Sequence, residues 1–260
     1  MLSKLLANRN LLKNLVLRDL KYRYVGSVGG FLWSVVHPLV QLLVYTFVFK
    51  ALFNQPLGPE YGVSNFSVFL FCGLLPWILF SDTVVRSCSS ITENSQLITK
   101  TVIPAEILPI SITLSNLINH GIGLSILLLV LAIFFQLHLS ALLILVYIPM
   151  LLMLALGLGW IAAGLQVFLR DTSQALQILM FVWWWVTPGM YVMEGLPPWM
   201  QRYLRWNPMA TIVTGYRNSL LHLKQPDLLN ILLVFLTSLA VFVLGAFLFR
   251  QAKPAFPDVL

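Results

Sequence analysis

The sequence predicts an all-α integral membrane protein of six transmembrane helices. An N-terminal amphipathic interfacial helix precedes them, and short re-entrant or interfacial helices lie before the last span. Three observations carry that expectation. Of 260 residues, 59% are hydrophobic and only 10% charged, against about 25% charged in an ordinary soluble domain. Apolar runs recur from Gly29 to Phe249 and leave no polar block large enough for a separate soluble domain. The net charge of +7 is unevenly placed, with Lys4, Arg9, Lys13, Arg18, Lys21 and Arg23 all ahead of the first apolar run. Such a cluster suits a cytoplasmic anchor facing anionic lipid. A nucleic-acid surface would need a soluble, aromatic-studded face, so no nucleic-acid partner is expected.

The elements follow in order. Leu5, Leu12, Leu15, Val16 and Leu20 fall near one helical face and Lys4, Lys13, Arg18 and Lys21 mostly elsewhere, so 1–28 reads as a helix lying on the cytoplasmic leaflet. Asp19 and Arg23, at i and i+4, can pair within it. A helix crossing a hydrocarbon core of about 30 Å needs about 20 apolar residues. Six stretches qualify, at about 29–53, 65–85, 106–135, 141–168, 173–192 and 228–249, and together they make 29–260 the transmembrane domain. The first is too long for a signal-peptide core and no small-residue cleavage site follows it, so it is expected to stay in the mature protein. An even number of spans puts both termini on one side. Eleven of the 16 Lys and Arg residues fall on that side, which is therefore the cytoplasm.

The connecting segments are unequal. Arg202, Arg205, Arg217 and Lys224 crowd the external segment 193–227, where Trp199, Met200, Tyr203, Leu204 and Trp206 accompany the first two. After Asn207-Pro208 the stretch from Met209 to Leu223 is apolar but too short to span, which predicts two short helices divided at Pro208. On the cytoplasmic side, 87–103 carries Glu93, Asn94, Gln96 and Lys100, with Ile91, Leu97 and Ile98 available for one apolar face. A short helix there, ended by Pro104, would offer a knob to a cytoplasmic partner. Asp82 and Arg86, at i and i+4, are expected to pair at the end of the second span.

No G-x-x-x-x-G-K-[ST] sequence is present, and Gly157, Gly159 and Gly164 do not form G-x-G-x-x-G, so no nucleotide cradle is expected in this chain. His37, His120, His138 and His222 lie far apart without ligand-spaced Cys or carboxylates, and Cys72 and Cys88 form no disulfide framework or metal spacing. Paired intramembrane carboxylates, which a proton relay would need, are not found in a common span. No catalytic site and no metal are therefore expected. The third span does carry Thr113, Asn116, His120 and Gly123 at i, i+3, i+7 and i+10, with Asn119 beside them. That face suits interhelical hydrogen bonding or a hydrated wall for a polar solute. The dense aromatics Trp183, Trp184, Trp185, Tyr191, Trp199, Tyr203 and Trp206 suit an interfacial belt, or flat faces for sugar rings where one or two meet a passage.

Several blocks resemble a known family. Leu17-Arg18-Asp19-Leu20-Lys21-Tyr22-Arg23-Tyr24, Gly30-Phe31-Leu32-Trp33, Pro38-Leu39 and Val44-Tyr45 open the series. Gly73-Leu74-Leu75-Pro76-Trp77 follows, then Asn94 and Leu97-Ile98-Thr99-Lys100 leading to Pro104-Ala105-Glu106-Ile107-Leu108-Pro109. Phe168-Leu169-Arg170-Asp171, Trp206-Asn207-Pro208-Met209 and Tyr216-Arg217 complete it. In this order the blocks resemble the ABC transporter permeases that export O-antigen, capsular polysaccharide or teichoic acid. Ala105 stands where the family often has Arg, and Trp183–Trp185 is unusually aromatic.

The resemblance implies a multi-pass protein of the bacterial cytoplasmic (inner) membrane: a homodimer of six-span subunits bound to two copies of a separate ATPase, which binds the ATP and Mg. It implies a coupling segment at Glu93, Asn94, Gln96, Leu97, Ile98 and Lys100. A substrate entrance for a lipid-linked polysaccharide would lie at Lys21, Tyr22, Arg23 and Tyr24. Thr113, Asn116, Asn119, His120 and Trp184 would line the channel, and Trp199, Arg202, Arg205, Trp206 and Arg217 would form an outer gate. Export of a drug, antibiotic or small lipid is the alternative within the same permease class.

Overall fold

A computed structural model describes residues 8–24, 32–48, 66–100, 104–191, 193, 196–221 and 226–260. Among them the regular elements are all helical. They are α1 (Arg9–Tyr24), α2 (Trp33–Thr46), α3 (Phe66–Glu93), α4 (Ser95–Lys100), α5 (Ile107–Phe134), α6 (Ile144–Phe168), α7 (Thr172–Val186), α8 (Pro198–Leu204), α9 (Pro208–Leu221), α10 (Leu228–Ala252) and α11 (Phe256–Val259). Four stretches are long and apolar enough to cross a bilayer: α3, α5, α6 with its leading 3₁₀ turn, and α10 with the short turns after it. Helices α2 and α7, of 14 and 15 residues, fall below the ~20 that a full crossing takes. Lys4, Leu5, Lys50, His222 and Lys224 lie outside the described residues.

Helix α3 is the central post. Of its most apolar window, 78% is buried inside the protein, against 17% for the still more apolar α10. A helix that greasy would not stand uncovered in water, so the outer faces of α10 are made for lipid. The core around α3 gathers Phe71, Leu75, Phe80, Leu127, Leu151, Ile212 and Tyr216. Helix α10 reaches the bundle through α6, where a Cβ added at Gly157 would come within 2.6 Å of the Val241 carbonyl oxygen. Small residues at this crossing let two backbones touch, the usual basis of helix association in lipid.

Three sequence expectations are corrected here. The second span was expected to stop at about 85, with 87–103 apart from it, yet α3 continues to Glu93. Its polar residues bond back to the helix: Ser90 Oγ donates to the Ser87 carbonyl at 2.7 Å and Thr92 Oγ1 to that of Ser89 at 3.0 Å, so their polarity does not break it. The expected Asp82–Arg86 pair is replaced, because Asp19 of α1 reaches Arg86 first. Finally, Leu15 and Val16 are buried against the protein itself, with Leu15 in a cluster containing Ile107, Leu108 and Trp160; at these residues α1 packs on the bundle instead of on lipid.

Candidate functional site

The polar stripe of the third span meets α2 and α3. Thr113 bonds its own helix, donating to the Pro109 carbonyl at 2.7 Å, and takes no further part. Asn116 donates to Thr83 Oγ1 at 3.0 Å and accepts from Arg86 at 3.3 Å. His120 stands with Nδ1 3.3 Å from the Leu75 carbonyl oxygen and Nε2 3.1 Å from the Tyr216 hydroxyl. A carbonyl can only accept, so Nδ1 carries the proton and Nε2 accepts from Tyr216.

Asn116, Asn119, His120 and Gly123 line one side of a cavity of about 360 Å³, and Phe71, Leu75, Ile78, Leu79 and Asp82 of α3 and Trp33, His37, Pro38 and Gln41 of α2 close the others. Asp82, His37 and Gln41 were missed as wall residues. A signal existed for two of them: Trp33, His37 and Gln41 recur every fourth residue, which aligns them on one face of a helix.

Trp184 does not join that wall. It packs on Trp77 at 5.2 Å between ring centroids and covers Gly189, whose missing side chain makes room for the indole. Trp183 packs on Phe80 at 5.2 Å and donates from Nε1 to Asn207 Oδ1 at 3.0 Å, whereas Trp185 is exposed. Asn207 also accepts from the Met209 amide at 3.1 Å and donates to Thr187 Oγ1 at 3.2 Å. One side chain thus starts α9 and pins the end of α7 to it.

A second cavity, of about 520 Å³, lies where α3 ends and α5 begins, lined by Arg18, Asp19, Arg86, Ser89, Ser90, Glu93, Asn94 and Ser111 among others. Arg86 lines it and donates to Asn116, which lines the first. Its guanidinium grips the Asp19 carboxylate on one side and Asn116 on the other. Arg18 donates to Asn94 Oδ1 at 3.0 Å, so α1 is tied to the turn before α4 as well.

In the segment expected to couple, Glu93 and Gln96 are exposed, Asn94 is held by Arg18, and Leu97 and Ile98 are half-buried. Ile98 packs inward against the cluster of Ile91 and Ile107, so the knob's apolar side faces the bundle. The Lys100 side chain lies outside the described residues, as do those of Tyr22, Arg23 and Tyr24, while Lys21 is exposed. Lys253 donates to Glu106 at 2.8 Å, which fixes the C-terminal turn beside the start of α5. Among the described residues no group of three or more His, Cys, Asp or Glu could hold a metal ion.

Trp199, Arg202, Arg205 and Trp206 are exposed on and after α8, but Arg217 is only 3% exposed and belongs with none of them. Its Nε donates to the Phe69 carbonyl at 3.1 Å, Nη1 to those of Pro188 and Tyr191, and Nη2 to that of Gly189. The guanidinium carbon also lies 3.9 Å over the Phe69 ring. The carbonyls past the end of α7 have no helical ladder, and the five-donor fork of an arginine satisfies them. Gly73 leaves the space, since a Cβ there would lie 2.6 Å from Nη2. Arg217, expected as an external charge in the gate segment, lies inside the bundle and bolts the 188–191 turn to α3.

Residues 10–221 match the model of the ABC-2 type transporter family. The chain is 30% identical over 253 residues to the O-antigen export system permease protein RfbA of Myxococcus xanthus, an alignment covering 96% of this chain and 95% of that one. It is 28% identical over 252 residues to the protein of the same name from Klebsiella pneumoniae, covering 94% and 92%. Against the polysialic acid transport protein KpsM of Escherichia coli it is 25% identical over 246 residues, covering 93% of each. With the family match running from α1 to the end of α9, the chain belongs to the ABC-2 type transporters.

Proposed function

We propose that this chain is the transmembrane subunit of an ATP-driven exporter that moves a polysaccharide, or a lipid-linked polysaccharide of O-antigen, capsule or teichoic acid type, across the bacterial cytoplasmic membrane. The observation that carries this reading is similarity over nearly the full length of export permeases, 95% of the first and 93% of the polysialic acid transporter. The four long apolar helices support it. In this reading α2 and α7 complete six spans with their flanking residues, and both termini lie in the cytoplasm. Two copies form the conduit, a two-fold pair being the commonest symmetry of such assemblies. A separate ATPase binds ATP and Mg and presses on 87–103, where Glu93, Asn94, Gln96, Leu97, Ile98 and Lys100 meet it. Lys21, Tyr22, Arg23 and Tyr24 receive the anionic head of the lipid carrier at the entrance. The seam of Asn116, Asn119 and His120 presents the polar wall, and Trp199, Arg202, Arg205 and Trp206 stand at the exit.

The test is reconstitution of the chain with a separate ABC ATPase from the same organism. Lipid-linked glycan from the same cells should stimulate ATP hydrolysis and appear on the far side of the vesicle. Stimulation by amphiphilic drugs or a small lipid, with none by glycan, would overturn the substrate class. Glycan transport without any ATPase would overturn the reading altogether.

A further inference from the structure

The cavity between α2, α3 and α5 has a chemistry that its role in packing does not require. Asp82 places a carboxylate on a helix long and apolar enough to cross a bilayer, where charge is costly and marks a functional position by default. Its natural helical partner, Arg86, is turned away to Asp19 and Asn116. Asn116 and His120 are fixed in the wall by Thr83, Leu75 and Tyr216. The volume of about 360 Å³ falls within the usual range for small-molecule sites, about 300–1,000 Å³.

The lining selects among occupants. A phosphate or other anion would meet the Asp82 carboxylate; no Lys or Arg is among the described lining residues, and the His37 ring, within electrostatic reach of Asp82, is matched by that carboxylate. An acyl chain would leave the Asp82 carboxylate facing hydrocarbon. A sugar ring fits both surfaces. Its hydroxyl edge can donate to the carboxylate and exchange hydrogen bonds with planar amides, while its C–H face lies on Leu75, Ile78 and the half-exposed indole of Trp33. A carboxylate also separates sugars by charge: it accepts from a neutral ring's hydroxyls and repels a ring bearing its own carboxylate.

We propose that the cavity walled by His37, Gln41, Asp82 and Asn119 binds a neutral sugar residue of the exported polymer, and that Asp82 discriminates against acidic sugars. This assignment rests on the glycan-export reading above and narrows its substrate to neutral glycans.

The complex with its ATPase, in lipid nanodiscs, carries Pro38→Cys, at a lining position given no bond to the sugar, as a maleimide target; the native Cys72 and Cys88 are buried and give little background. The probes are a neutral galactose–mannose tetrasaccharide and a sialic acid tetramer. The neutral probe should slow labelling about tenfold at a concentration where the acidic probe slows it less than twofold. Asp82→Asn, of the same shape, should bring the two probes within twofold of each other, and Asp82→Leu should abolish protection by the neutral one. Equal protection by both probes before Asp82 is changed, or full protection in Asp82→Leu, would overturn the assignment. ATP hydrolysis stimulated by lipid-linked glycan is measured on the same samples. Stimulation without protection by either probe would sink the cavity site and leave the export reading intact. Absence of stimulation by any glycan would sink the export reading and this site with it.

Discussion

Two arginines, Arg86 and Arg217, sit inside the same bundle and do different work. Arg217 is almost wholly buried and answered by four backbone carbonyls and an aromatic face, with no carboxylate paired to it among the described residues. Arg86 keeps a third of its side chain accessible and is answered by the Asp19 carboxylate and the Asn116 amide, from two other helices, between two cavities. Carbonyls of a turn cannot leave an arginine without losing a donor in a dry interior, so the Arg217 contact holds the turn in place. A carboxylate and an amide beside water-sized space can exchange partners as helices move. Charge inside a transporter is therefore best judged by the groups that answer it.

The largest effect is expected at Arg217. Arg217→Ala strands several buried carbonyls and leaves a cavity beside Phe69, at a cost of about 3–5 kcal/mol, while Arg202→Ala and Arg205→Ala on the exposed helix should stay within about 0.5 kcal/mol. Thermal unfolding of the detergent-purified protein checks both. Gly73→Ala, which pushes a methyl into the guanidinium, should reproduce part of the Arg217→Ala loss and add little to it. Independent, additive losses would show that the two residues do not share one site.

Length and hydropathy locate α3, α5, α6 and α10, because a run of about 20 apolar residues has few other uses. The break at Pro208 was legible for the same local reason: a proline just inside a helix start, preceded by an asparagine that caps it. The end of α3 was not, since whether Ser87, Ser90 and Thr92 leave a helix or bond back into it depends on what covers them. Arg217 looked like an exposed charge because backbone carbonyls, unlike carboxylates, carry no letter in the sequence. Asp82 was tied to the wrong partner because Asp19 lies 67 residues from Arg86 along the chain. The stripe of Asn116, Asn119 and His120 was found; its facing wall needed the packing of α2, which periodicity within one helix does not supply.

A middle-sized effect is expected at the Asp19–Arg86 contact, where side-chain exposures of 33% for Arg86 and 18% for Asp19 weaken the pair relative to a dry one. Asp19→Asn or Arg86→Gln alone should cost about 1–2 kcal/mol. The double exchange Asp19→Arg with Arg86→Asp should recover part of that, because opposite charges again face each other between α1 and α3. Hydrogen exchange sharpens the contrast between the two arginines. Arg86→Gln should speed amide exchange in α1 and leave the 188–191 turn untouched, whereas Arg217→Lys should do the reverse. Faster exchange in both segments from either change would mean that the two arginines report one global loosening.

The smallest effect is expected at Lys253 and Glu106, whose side chains are 35% and 16% exposed at the end of the bundle. The bond between them is short, 2.8 Å, yet an ion pair open to water on one side is worth less than about 1 kcal/mol. The turn it belongs to has a second anchor, Phe256, fully buried between Phe249 and Phe168. Lys253→Ala should therefore lower stability by about 0.5 kcal/mol in dilute buffer and by nothing measurable at 0.5 M salt, where the screening length falls to about 4 Å. The buried arginine gives the opposite expectation, since no salt reaches it and the loss in Arg217→Ala should be the same in both buffers. A salt-independent loss at Lys253 would place that pair with Arg217, as part of the scaffold at the base of α5.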